Sequence, residues 1–133
     1  MAYIDMDEFR RYTERYMNKE NSDEVLKYFI KIACMEEASQ ERIKAMHRVG
    51  FLLHQRGDYE RAINCYEWVI AHYEEDVRKD VIGSSFYNLG LMCKNGEGMP
   101  IDLEQAVKYF ISGARYANNE ACKKMLNKLG INY

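Results

Sequence analysis

The chain has 133 residues, 47% of them hydrophobic and 30% charged, with a formal net charge of −2. This balance suits one folded domain with a real core and excludes a disordered segment. The charge offers no electrostatic footprint for nucleic acid, and no apolar run approaches the ~20 residues that span a bilayer.

The single proline and eight glycines leave room for long helices. The first residues, Met1 to Glu8, are acidic and lack the basic start and apolar core of a secretory signal. A cytoplasmic location is therefore expected, with Cys34, Cys65, Cys93 and Cys122 as reduced thiols. Their nearly even spacing reads as the echo of a repeat, each thiol being a small packing residue.

The apolar period is helical almost throughout. A first helix starts after Asp5, where Glu8 completes a capping-box pattern. Its inward positions are Met6, Phe9, Thr13 and Tyr16, plus Tyr12 and Met17. A second runs from Asn21 or Ser22 to about Ala38, with Val25, Leu26, Phe29, Ile30, Ala33 and Cys34 inward. A third starts near Ser39 and ends before Gly57. A fourth starts at the Asp58 cap and carries Ala62, Ile63, Tyr66, Val69 and Ile70. The fifth covers roughly Arg78 to Lys94. The sixth begins at Asp102, where Gln105 fits a second capping box, and ends near Tyr116. A seventh runs from Asn119 to Leu129 and stops at Gly130, a good C-cap. The connections are short, so sequential helices should pack antiparallel.

Two stretches repeat one grammar. Val49-Gly50, Gly57-Asp58-Tyr59, Ala62 and Tyr66 are echoed by Leu89-Gly90, Asn95-Gly96-Glu97-Gly98, Asp102, Ala106 and Tyr109-Phe110. A glycine inside a helix costs ~1 kcal/mol relative to alanine. Two such costs at matched places imply a close approach of helices at Gly50 and Gly90. The segment 43–76 resembles a tetratricopeptide repeat, and 83–117 resembles the related Sel-like repeat, which has a longer loop between its helices. Residues 119–130 resemble the first helix of a further, truncated unit and serve as a capping helix. Residues 1–38 lack the glycine and alanine marks; they are a degenerate repeat or a helical cap of the same single domain. The resemblance implies an all-α fold: a right-handed α-α superhelix of about three stacked antiparallel helix pairs plus a C-terminal capping helix. It also implies a scaffold that binds a protein or peptide in a concave groove lined by the first helix of each pair.

Residues about one turn around from the packing glycines are the groove candidates. They are Lys44, His47, Phe51 and His54 in the third helix, and Ser84, Tyr87, Leu91 and Lys94 in the fifth. Lys123 and Asn127 follow in the seventh. Their spacing puts each set on one helix face. Phe51 and Tyr87 have a second reading, as core residues packed under the N-terminal helices. The family's chaperone-tail clamp uses lysine, asparagine and arginine in this groove; His47, Phe51, Tyr87 and Leu91 depart from it.

Other motifs carry less. His47 and His54 are seven residues apart, ~10 Å along a helix, too far to share one metal ion. Arg56-Gly57-Asp58 spells an adhesion tripeptide but reads better as an interhelix turn. Asn95-Gly96-Glu97-Gly98 lacks the strand and the lysine of a phosphate loop. No serine or cysteine has a recognisable base beside it, so neither an enzyme nor a cofactor is expected. The expected function is a binding module for a protein or peptide partner, without nucleic acid or membrane. One specific version is a bacterial immunity protein that neutralises a toxin domain; the alternative is a peptide-sensing regulator or adaptor linked to transcription.

Overall fold

The computed structural model describes residues 3–36, 39–72 and 79–133. They form α1 (Met6–Met17), α2 (Asp23–Ala33), α3 (Gln40–Gln55), α4 (Tyr59–Ala71), α5 (Lys79–Asn95), α6 (Leu103–Ala117) and α7 (Glu120–Lys128). The expected caps are present. The Asp5 carboxylate accepts from the amides of Asp7 and Glu8, and Ser22, Ser39, Asp58, Asp102 and Asn119 cap α2, α3, α4, α6 and α7. Each satisfies an amide that the helix start leaves orphaned.

The expected boundaries differ from the structure mainly at α2, which ends at Ala33 and not near Ala38. Its carbonyls explain the stop. Arg42 in α3 donates to the Ala33 carbonyl at 3.0 Å and to the Glu36 carbonyl at 3.2 Å. The chain thus turns away, and Cys34 is exposed and not a packing residue. Ala38, Arg78 and residues 73–76 of the expected first repeat lie outside the described residues.

The helices stack as antiparallel pairs α1–α2, α3–α4 and α5–α6, with α7 closing against α5 and α6. This is the expected all-helical repeat architecture with its C-terminal helix. The glycines do what their positions imply. A Cβ at Gly50 would sit 3.0 Å from Tyr66 Cε1 and 3.1 Å from Cys65 Cβ, and one at Gly90 would sit 2.4 Å from Phe110 Cε1. Each glycine therefore admits the aromatic ring of its pair's second helix.

The long loop after α5 belongs to two repeats at once. Gly98, with φ +76°, lies against α4: a Cβ there would be 2.7 Å from Tyr59 Cβ. A side chain is excluded both by that contact and by the left-handed backbone. Beside it, Glu97 meets His54 at 3.2 Å, and Met99 packs against both neighbouring parts of the core. The turn Arg56-Gly57-Asp58 is equally committed. Arg56 pairs with Asp23 at 2.7 Å and donates to Asn21, while Asp58 caps α4 and pairs with Arg61. Its arginine and aspartate are already engaged within the fold, which supports the turn reading.

At the other end, α1 is held by rings and not by close backbone packing. Tyr12 stacks on Tyr28 at 4.0 Å, and Phe9 meets Phe29 edge-on. The Arg48 guanidinium, from α3, lies 5.6, 5.1 and 5.2 Å from the rings of Phe9, Tyr16 and Phe29, and donates to Thr13 Oγ1 at 2.8 Å. It therefore stands as a wedge between α1 and α3.

Candidate binding groove

The first helices of the pairs, α1, α3 and α5, and the start of α7 line one face. Three cavities open there, and all three include Tyr16. One of about 290 Å³ lies between α1, α3 and α5 and is bordered by Lys44, His47 and Ser84. The next, about 240 Å³, is bordered by His47, Phe51, Tyr87 and Asn88, with Asn119 and Ala121 of α7. The third, about 440 Å³, lies between the C-terminal ends of α1 and α3.

The structure thus brings Lys44, His47, Phe51, Ser84 and Tyr87 to a common face. Phe51 and Tyr87 are half-buried, and each also touches an aromatic ring, Tyr16 at 6.1 Å and Phe110 at 6.0 Å. Both readings of these two residues are therefore partly realised. The remaining candidates are placed otherwise. His54 turns to the long loop, pairing with Glu97 and lying edge-on to Tyr59. Leu91 packs into the core of the second repeat. Lys94 is half-buried and borders none of the three cavities. Lys123 pairs with Glu120 at 3.5 Å and also bonds Asn118, and Asn127 is exposed.

Sequence reasoning missed Met17, Asn88, Asn119 and Ala121, and did not place Tyr16 in the groove. Asn88 was within reach, because it lies one turn beyond Ser84 on the same face. Met17 carried no signal, since α1 lacks the marks of the repeat; Tyr16 stood out only through the abundance of tyrosine, which makes the N-terminal face with Tyr3, Tyr12 and Tyr16 a candidate contact surface.

His47 sits at the junction of two cavities, and its Nε2 is buried without a hydrogen-bond partner among the described residues. Burial, aided by the nearby Arg48 charge, pushes its pKa down from 6.5 to about 4, so the ring is neutral near pH 7. Its ring lies 5.6 Å from that of Tyr66, whose hydroxyl is likewise buried; Asn88 approaches that hydroxyl without hydrogen-bond geometry. Burial also raises the Tyr16 hydroxyl above the usual tyrosine range, with Arg48 opposing. The face therefore offers neutral hydrogen-bonding groups and aromatic edges. Such groups suit recognition of a protein segment.

Reactive chemistry finds little footing. Burial pushes the Cys65 and Cys122 thiols up to about 11 and about 12, and raises Cys93 as well. These thiols stay protonated and weakly nucleophilic. Among the described residues, no group of three histidine, cysteine or acidic side chains could hold a metal ion. None of the described helices is long and apolar enough to cross a membrane.

The Sel1 repeat model matches residues 43–67 and 87–115. Both copies match this one model, so the first unit, read above as tetratricopeptide-like, is of the same type as the second. No curated protein and no solved structure matches the chain. Repeats of this type mediate protein–protein interaction. The matched segments coincide with the α3–α4 and α5–α6 pairs and their packing glycines: the chain carries two Sel1 repeats, stacked as tetratricopeptide-like helix pairs.

Proposed function

We propose that the protein is a non-enzymatic binding module that holds a segment of a protein partner along the face of α1, α3 and α5. The observation that supports this reading is the convergence of Tyr16, His47, Phe51, Tyr87 and Asn88 on adjoining cavities. Aromatic side chains give large contact area at low entropic cost, and fixed amides give register. A cytoplasmic binder of a toxin domain, acting as its immunity protein, is the specific version that the eleven tyrosines and mildly acidic charge favour.

Capture of partners from native lysate, followed by mass spectrometry, tests the module. The Phe51→Ala, Tyr87→Ala double variant should lose at least about tenfold in partner affinity while keeping its helical circular dichroism, as expected for two aromatic anchors. Unchanged affinity in a folded variant places binding on another face. The immunity version is tested separately by co-expression with the product of the neighbouring gene. Relief of growth arrest is expected, and a neighbour without toxicity removes this version.

A further inference from the structure

Two asparagines meet at one small cavity with opposite ends of their amides uncommitted. Asn119 caps α7 through its carbonyl oxygen, which accepts from the Cys122 amide at 2.9 Å, and its Nδ2 has no hydrogen-bond partner among the described residues. Gly83 in α5 leaves room for that nitrogen; a Cβ there would lie 3.0 Å from it. Asn88 is the converse. Its Nδ2 approaches the Tyr66 hydroxyl, and its carbonyl oxygen has no partner among the described residues. Both asparagines border the cavity of about 240 Å³ between α3, α5 and α7. We propose that this cavity is a subsite for an uncharged primary amide, the side chain of a glutamine or asparagine in the partner's segment. This rests on the groove reading above and assigns the chemistry of one part of it.

A primary amide carries a donor and an acceptor on one planar group. Here its nitrogen donates to Asn88 Oδ1 and its oxygen accepts from Asn119 Nδ2. Ser84 adds a hydroxyl at the wall, and Phe51 and Tyr87 receive the methylenes of the stem. The volume lies below the ~300–1,000 Å³ of small-ligand pockets and suits a single side chain.

Other occupants fit worse. No lysine, arginine, aspartate or glutamate borders this cavity, and the His47 ring that does is neutral near pH 7. Lys44, Arg48 and Asp80 border the adjoining cavity and have interactions of their own. Lys123, in α7, pairs with Glu120 and bonds Asn118. A carboxylate entering here loses its water without gaining a counter-ion. It is also an acceptor only, so it sets oxygen against oxygen at Asn88. An apolar side chain covers both amide ends and strands them.

The test titrates three blocked tripeptides into the isotope-labelled full chain. They are acetyl-Ala-X-Ala-N-methylamide with X as glutamine, glutamate or methionine, so only the first carries a primary amide. NMR follows the side-chain NH2 signals of Asn88 and Asn119. The glutamine peptide should shift both and bind at least about tenfold tighter than either control, as the loss of two neutral hydrogen bonds implies. Asn119→Asp keeps an oxygen to cap α7 and removes the donor, and Asn88→Ala removes the acceptor. Each should bring the glutamine peptide down to the affinity of the methionine peptide, with helical circular dichroism unchanged. Equal binding of the three peptides, indifference to both substitutions, or no shift with any peptide overturns the amide subsite. Shifts at Phe51 and Tyr87 that are alike for all three peptides also overturn it but leave the broader groove reading standing. A folded Phe51→Ala, Tyr87→Ala variant that keeps its partner strikes the groove reading instead.

Discussion

His47 shows how one half-buried ring, with its Nε2 shut away from water, sets an acid limit. Its neutral form is the folded form, because burial depresses its pKa from 6.5 to about 4. The unfolded chain binds the proton more readily, so this contribution is complete above about pH 6.5 and is lost as pH falls toward 4. The loss is on the order of 3 kcal/mol. Urea unfolding followed by circular dichroism should show this slope in the wild type and not in His47→Gln; an identical slope in both would refute it. A second acid limb survives the substitution. Hydrogen bonds from Arg15 hold Glu20 and Glu24 below the usual carboxylate range, and a hydrogen bond from Arg56 does the same for Asp23. Those carboxylates lose their contribution only as pH falls through the carboxylate range.

At the level of helix pairs, Gly50 and Gly90 answer to different clearances. Alanine gains ~1 kcal/mol of helix propensity at either place. At Gly50 the new methyl would meet the Tyr66 ring at 3.0 Å and Cys65 Cβ at 3.1 Å, contacts that a movement of a few tenths of an ångström between the two helices relieves, so Gly50→Ala should come out close to neutral. At Gly90 it would meet Phe110 at 2.4 Å; both rings are fully buried, so the clearance alone separates the two sites. Overpacking of that kind costs ~1–3 kcal/mol, so Gly90→Ala should be clearly the worse of the two in chemical denaturation. Equal midpoints for the two variants would contradict this account. These glycines were legible in the sequence because their cost demanded a compensating contact. The end of α2 was not, because Arg42, which takes its last carbonyl, lies in the next helix. The groove was legible where it follows the repeat, at His47, Phe51 and Tyr87. At α1 the tyrosine content marked Tyr16 as a contact candidate, but neither its place in the groove nor Met17 was legible, since no local pattern says how an unmarked helix docks.

Across the whole array, each helix pair leans mainly on its neighbours, and stability in such stacks is distributed accordingly. The α5–α6 pair is the most extensive, and α1–α2 is the sparsest in close backbone contact. Beside the Tyr12–Tyr28 stack and the Arg15–Glu24 pair, which tie α1 to α2, Arg48 among Phe9, Tyr16 and Phe29 ties α1 to α3. Arg48→Met keeps the bulk and removes the charge and the Thr13 hydrogen bond. It should speed amide exchange in α1 in proportion to a loss of about 1–2 kcal/mol, while α5 and α6 stay protected. Uniform acceleration along the chain would mean that α1 is not a separate unit. Because α1 supplies Tyr16 and Met17, the same variant should weaken partner capture without touching the second repeat.

The seat of Gly98 on Tyr59 has an implication for inheritance. The key lies in the loop of one repeat and its lock in the helix of the repeat before it. A duplication that begins within the loop and ends within the next would copy lock and key out of step. One that takes whole helix pairs would give each new copy a partner upstream. The natural unit of lengthening is thus set by this contact, and shortening by a whole pair leaves at most one lock without its key.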